Sequence, residues 1–270
     1  MRKWEAIGTA KAVIVIVHGA MEHQGRYGWL IEMWRLNGFH VIVGDLPGQG
    51  LTTRSHRGHI RSFDEYIEET KLWLQEANTY ALPIFMLGHS MGGLTVIRLL
   101  QTVKIHVDGI ILSSPCLGLV EYPPTPINAL SVGLNWIAPG LKINSNLSID
   151  LVTRNEEEKM RAMNDSLYVT KVSVRWYREL LKAMKTAFMQ ISDFPDIPLL
   201  VMQGGDDKIV SKSDVRKWFN ELAISEKTYK EWPKCYHEIF NEPEREIIFN
   251  YAKSFAELRL RMLGYVSTRE

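Results

Sequence analysis

The first long apolar run in the chain has no polar position: Val13-Ile14-Val15-Ile16-Val17. A strand with one wet face alternates apolar and polar residues. An unbroken β-branched run therefore predicts a central strand covered on both faces. It stops at His18-Gly19. A mixed apolar and polar stretch from Tyr27 to Leu36, closed by Asn37-Gly38, predicts a helix and its end. Phe39-His40-Val41-Ile42-Val43 reads as a second strand running into Asp45. Ser62 and Glu65 have the spacing of a capping box, ahead of Phe63, Tyr66, Ile67, Leu74 and Ala77 in a helical pattern. Pro83 opens a strand over 84–87, a helix is expected from Met91, and another strand over 107–112.

Strands alternating with helices predict an α/β fold with a mostly parallel sheet and helices on both faces. The rhythm breaks after Ser114-Pro115. From 116 to 193 the chain holds Pro123-Pro124-Thr125-Pro126 and several apolar helical stretches, with no strand run of the earlier kind. The rhythm returns at Pro198-Leu199-Leu200-Val201-Met202, followed by a strand over 228–232 and a final helix over 243–260. The expected organisation is a core made of 1–115 and 194–270, with a helical cap inserted at 116–193. No internal repeat or low-complexity segment interrupts it.

Composition narrows the class. The 270 residues carry 32 Lys+Arg against 31 Asp+Glu, without the basic excess of a nucleic-acid binder. The two cysteines, Cys116 and Cys235, make neither a disulfide framework nor a metal spacing, and fit a reducing compartment. The start of the chain lacks a signal-peptide pattern, and no apolar run approaches the ~18 residues of a membrane span. The expected location is cytoplasmic.

Gly88-His89-Ser90-Met91-Gly92 is G-x-S-x-G between a predicted strand and a predicted helix. That context puts the serine on a tight turn, with small neighbours to let the chain pass and a helix N-terminus aimed at developing negative charge. A serine hydroxyl needs a base, and the base needs an acid to hold its tautomer. In a fold of this kind they follow in the order Ser, Asp or Glu, His. Downstream of Ser90 the histidines are His106 and His237, and His237 lies in the loop before the last helix. The acid comes from Gly204-Gly205-Asp206-Asp207, at the end of the strand over 199–202. Either aspartate can serve, and spacing favours Asp207. The oxyanion requires two aimed donors. The backbone N–H of Met91 and that of Ala20, in the loop after the first long strand, are the candidates, with His18 as a brace for that loop.

These residues carry a resemblance. His18-Gly19-Ala20-Met21-Glu22-His23-Gln24-Gly25-Arg26-Tyr27 resembles the H-G-x-x-E-H-x-x-R-Y signature of the monoacylglycerol lipase and lysophospholipase family. Gly88-His89-Ser90-Met91-Gly92-Gly93 resembles its G-H-S-M-G-G. Asp45 with Pro47-Gly48-Gln49-Gly50, Asp207-Lys208, and His237-Glu238-Ile239-Phe240-Asn241-Glu242 match its remaining motifs. The chain looks most like the lysophospholipases of Gram-positive bacilli. The resemblance implies an α/β-hydrolase fold, a triad of Ser90, Asp207 and His237, oxyanion donors at Ala20 and Met91, and a single-chain lipid ester as substrate. Leu51-Thr52-Thr53-Arg54-Ser55 departs from the family, where a shorter turn is usual.

Other signals lead elsewhere or nowhere. Gly48-Gln49-Gly50 lacks the third glycine of a dinucleotide fingerprint, and His237-Glu238 lacks the second histidine of a zinc-protease motif. His56 and His59 have no cysteine or carboxylate pattern around them, so they read as loop residues, and Cys116 as a small hydrophobe. No metal and no cofactor is called for. In the insertion, Ile127, Leu130, Leu134 and Ile137 fall at helical spacing, with Val132 and Trp136 widening the stripe. They are expected either to line an acyl-chain pocket or to pack the cap onto the core, and the cap is a candidate for transient contact with a membrane surface. Glu156, Glu157, Glu158 and Lys159 read as a solvated helix face. Arg175, Arg178, Lys182 and Lys185 read as another, with a phosphate or membrane contact as the alternative. A catalytically idle binder on the same fold is the competing reading.

Overall fold

A computed structural model describes residues 1–52, 56–145 and 147–265. In chain order the elements are β1 (Arg2–Trp4), β2 (Ala12–Val17), α1 (Gly28–Leu36), β3 (Phe39–Val43), α2 (Asp64–Asn78), β4 (Ile84–His89), α3 (Met91–Thr102) and β5 (Gly109–Ser113). The insertion follows, with α4 (Thr125–Ile137), β6 (Lys142–Asn144), α5 (Glu156–Met163), β7 (Lys171–Ser173) and α6 (Val174–Met189). The chain ends with β8 (Leu199–Gly204), α7 (Lys212–Glu221), β9 (Lys227–Trp232) and α8 (Arg245–Met262).

Seven strands form one sheet in the order β1-β3-β2-β4-β5-β8-β9. Every pairing is parallel except β1 with β3. The expected α/β architecture is therefore present. The reason is visible in β2, all six residues of which are buried. Successive side chains on a strand point to opposite faces. Val13, Val15 and Val17 enter the core on one side, while Ala12, Ile14 and Ile16 enter the core on the other. In β4, Ile84 and Met86 divide from Phe85 and Leu87 in the same way. One sheet thus feeds two cores.

Some features escaped the sequence pattern. β1 is a short antiparallel edge strand, and α7 crosses between β8 and β9. The insertion holds a small hairpin, β6 against β7. The capping box at α2 is displaced: Ser62 Oγ accepts from Asp64 N–H at 3.3 Å, and Glu65 accepts from the backbone of Arg61 at 2.8 Å.

The insertion divides into two kinds of surface. α6 buries Trp176, Leu180, Ala183, Met184 and Ala187 in the same cluster as Leu94 and Val96 of α3. α4 buries only Ser131. Arg175 and Arg178 donate from α6 to Asn135 O (3.0 Å) and Asn128 Oδ1 (2.9 Å) of α4. Half of the expected basic face thus braces a neighbouring helix, while Lys182 and Lys185 are exposed. Glu158 is buried and paired with Arg161 and Arg245, so the acidic face of α5 is not wholly solvated.

Candidate active site

Three chain crossings at the carboxyl end of the sheet bring the candidate residues together. Ser90 sits between β4 and α3 at φ 52, ψ −119, a backbone that costs a non-glycine residue on the order of 1–3 kcal/mol. Its neighbours show how the turn fits. A Cβ on Gly92 would meet Val17 O at 2.0 Å, and one on Gly88 would meet Gly92 O and the Gly93 backbone at 2.7 Å. The turn is held by Ser90 N–H to Ser113 O and Cys116 N–H to Ser90 O, both 2.9 Å.

Asp207 follows β8 and is buried. Its Oδ1 accepts the N–H groups of Ile209 and Val210, both at 2.9 Å. Its Oδ2 accepts Gln203 Nε2 at 2.8 Å and His237 Nδ1 at 2.9 Å. Asp206 is exposed, and it is Asp207, the aspartate that spacing favours, that meets His237. Donation from Nδ1 leaves Nε2 of His237 as the basic nitrogen. The His237 ring lies 4.8 Å, centroid to centroid, from that of His89, the residue before Ser90.

Burial works against a charged imidazole at His237. The Asp207 carboxylate outweighs it, helped by Glu238 and Glu22, and holds the ring above the ordinary histidine range. Burial likewise pushes Asp207 up, and His237 and the two backbone donors pull it below the usual carboxylate range. His89 has no such partner: burial, then the charge of His237, lowers it to about 4, so it stays neutral.

The loop after β2 closes on the serine. A Cβ on Gly19 would lie 3.3 Å from Ser90 Cβ and 3.1 Å from His89 Cδ2. His18 is fully buried: Leu46 N–H donates to its Nε2 at 2.9 Å and its Nδ1 donates to Gly19 O at 2.8 Å. It braces the loop, as its place in the sequence predicts. The N–H of Ala20 meets no acceptor among the described residues, and that of Met91 opens α3, where helical donors are unpaired.

One group had no assigned role in the sequence. Arg26 grips Glu238 with two bonds, 2.7 and 2.8 Å, and reaches Glu22 at 3.3 Å. Glu22 accepts from Gly19 N–H at 2.5 Å and Tyr27 OH at 2.7 Å. Burial would raise Glu238, but Arg26 holds it at about 2. The guanidinium thereby links the Ala20 loop to the residue after His237. The trace in the sequence was three charged residues inside two of the motifs quoted above, with Arg26 and Glu238 separated by 212 in sequence number.

The stripe expected either to line an acyl-chain pocket or to pack the cap onto the core is turned outward for most of its length. Ile127, Leu130, Trp136 and Ile137 of α4 are exposed, Trp136 at 84% and Ile137 at 82%, and Leu134 is half-buried. α4 meets α6 through the polar bonds of Arg175 and Arg178 and leaves most of its apolar side outward. Thr53, Arg54 and Ser55, where the chain departs from the family pattern, lie outside the described residues.

A parallel sheet with a strained serine at a strand–helix turn and an Asp–His pair two strands away defines the α/β-hydrolase class. The sequence matches the model of Hydrolase_4, described as serine aminopeptidase, S33, over residues 8–244, and the chain belongs to that family of serine hydrolases. It is 58% identical over 247 residues to a protein named phospholipase YtpA of Bacillus subtilis, covering 91% of this chain and 95% of that one. It is 27% identical to the monoacylglycerol lipase of Mycolicibacterium smegmatis, covering 93% and 90%. The crystal structure of Paleococcus ferrophilus monoacylglycerol lipase superposes with a TM-score of 0.83 at 32% identity, covering 97% of this chain and 99% of that one. The resemblance read in the motifs, and the expectation of a serine ester hydrolase, hold at the level of the family.

Proposed function

We propose that the protein is a lysophospholipase that cleaves single-chain lipid esters through an acyl-enzyme. The observation that carries the reading is the buried His237–Asp207 pair at 2.9 Å beside the strained Ser90 turn. In this mechanism Nε2 of His237 takes the proton of Ser90 Oγ as the oxygen attacks the acyl carbonyl. The N–H groups of Ala20 and Met91 hold the oxyanion. His237 then protonates the departing alcohol, and the same base activates water to release the fatty acid. An idle binder has no use for a histidine kept basic by a buried carboxylate.

One observation favours a phosphate-bearing head group over glycerol alone: the 58% identity to a named phospholipase, against 27% to a monoacylglycerol lipase. Residues 116–193 act as the cap, and the outward apolar row of α4 rests transiently on a lipid surface. No helix among the described residues is long and apolar enough to cross a membrane. Both cysteines are buried and free, which suits the cytoplasm.

The test compares hydrolysis of matched lysophosphatidylcholine, monoacylglycerol and p-nitrophenyl esters by wild type and Ser90→Ala. Preference for the phospholipid, abolished in the variant, is expected. Equal lipid binding by both proteins without turnover would overturn the enzymatic reading. Faster cleavage of the monoacylglycerol would replace the head group.

A further inference from the structure

The loop carrying His237 is gripped from a second side, by the insertion. Glu242 is fully buried. Its carboxylate accepts the N–H of Tyr236, the residue before His237, at 3.1 Å. It also accepts Arg154 N–H at 3.0 Å and Arg154 Nε at 2.7 Å. The same guanidinium pairs with Glu244. On the other flank of the histidine, Glu238 N–H donates to Val152 O at 2.7 Å, and Thr153 Oγ1 donates to Asn241 O at 3.2 Å. Further along, the insertion also touches the Ala20 loop: Val169 N–H donates to Met21 O at 2.8 Å, and His23 pairs with Asp165 at 2.7 Å. Cys235, Glu242 and Glu244 lie close enough together to resemble a metal site. The Arg154 guanidinium already supplies the cation there.

We infer that Arg154 is a positioning residue: by neutralising Glu242 it fixes the backbone on both sides of His237, so that the seating of the insertion sets the aim of the imidazole at Ser90. This rests on the triad reading above. The physical case is simple. A carboxylate with no access to water must be paired. Without Arg154, Glu242 either takes up a proton or drags its loop toward solvent, and the bond to Tyr236 N–H weakens in both cases. Proton transfer tolerates little displacement, with about 1 Å able to cost about 10²-fold in rate.

The experiment uses the full chain and p-nitrophenyl butyrate, with kcat expressed per Ser90 titrated by a fluorophosphonate. Arg154→Met should lower kcat about 10-fold or more, with KM for this small ester little changed. The ascending limb of the pH profile should move down, because His237, which faces Asp207, Glu238, Glu22 and His89, loses its tight seat on Asp207. Arg154→Lys keeps the charge but cannot span both carboxylates, and should lower kcat about threefold. Arg161→Ala, which removes an exposed cation of α5, should leave kcat as it was. Wild-type kcat per titrated site with an unmoved pH limb, in Arg154→Met or in Arg154→Lys where the first does not fold, would overturn the inference. A wild type that neither cleaves the ester nor is labelled at Ser90 would instead remove the triad reading itself.

Discussion

The His237 loop and helix α4 are built on opposite plans. Around His237 the charges are paired and, Arg154 apart, buried: Arg26 with Glu22 and Glu238, Arg154 with Glu242, Asp207 with His237. Along α4 most of the large apolar side chains stand in water, and the Asn128 side chain and the Asn135 carbonyl accept bonds from α6. The first region is complete within the chain. The second leaves apolar area that a monomer in water usually hides. On the proposed reading, chemistry that needs fixed distances uses the finished surface, and contact with a lipid surface would use the unfinished one.

Replacing Ser90 by alanine tests the first region most severely. Ester hydrolysis should fall by about 10⁴-fold or more while the fold persists, as measured by steady-state rates and circular dichroism. Next comes Arg26→Met, which leaves two buried carboxylates without their cation. Urea unfolding should show a loss of about 3–5 kcal/mol. Were the loss below about 1 kcal/mol, the contrast between the regions would fail.

The pH dependence sharpens the same contrast. His237 must be neutral to act as base, and its pKa is raised in the fold. The ascending limb of kcat/KM should therefore lie above about 6.5, the ordinary histidine value, and Asp207→Asn should move it down. For stability, the contribution of a raised histidine is present at low pH and lost as pH rises through its folded value. Glu238, depressed to about 2, contributes above its ordinary range and loses that contribution as pH falls through about 2. Acid unfolding of Glu238→Gln beside wild type measures the second effect. The smallest change is expected on α4. Trp136→Ser with Ile137→Ser should leave stability within about 0.5 kcal/mol and cleavage of a soluble ester unchanged. Sedimentation with anionic phospholipid vesicles should fall about 10-fold, since an interfacial tryptophan supplies much of such binding.

What could be read in the sequence followed from local pattern. Apolar runs, interrupted only by His40 in β3, announced β2, β3, β4 and β8, and turn residues announced Ser90 between a strand and a helix. β1 and the β6–β7 hairpin were missed because three-residue strands carry no period. The exposed Lys212–Glu221 helix was missed because its apolar positions are few. Chain order and spacing pointed to Asp207 and His237, and the fold sets Asp207 apart from Asp206 through burial and four hydrogen bonds. The pairing of Arg26 with Glu238 and of Arg154 with Glu242 depends on contacts between distant segments, which no local spacing encodes. The apolar stripe of α4 was found, but which way it faces is decided by polar contacts with a helix that follows it in the chain.

Helix α6 closes the insertion, yet it is fused to the principal core beside α3. The insertion is therefore not a detachable module. An engineer who exchanged it between relatives to alter selectivity would have to cut between Ser173 and Val174, because a graft reaching to 193 would carry off one wall of the scaffold. Any gating motion has a narrower boundary still: α6 stays with the core, and the stretch from Val152 to Val169 is tied to the loops of His237 and Ala20.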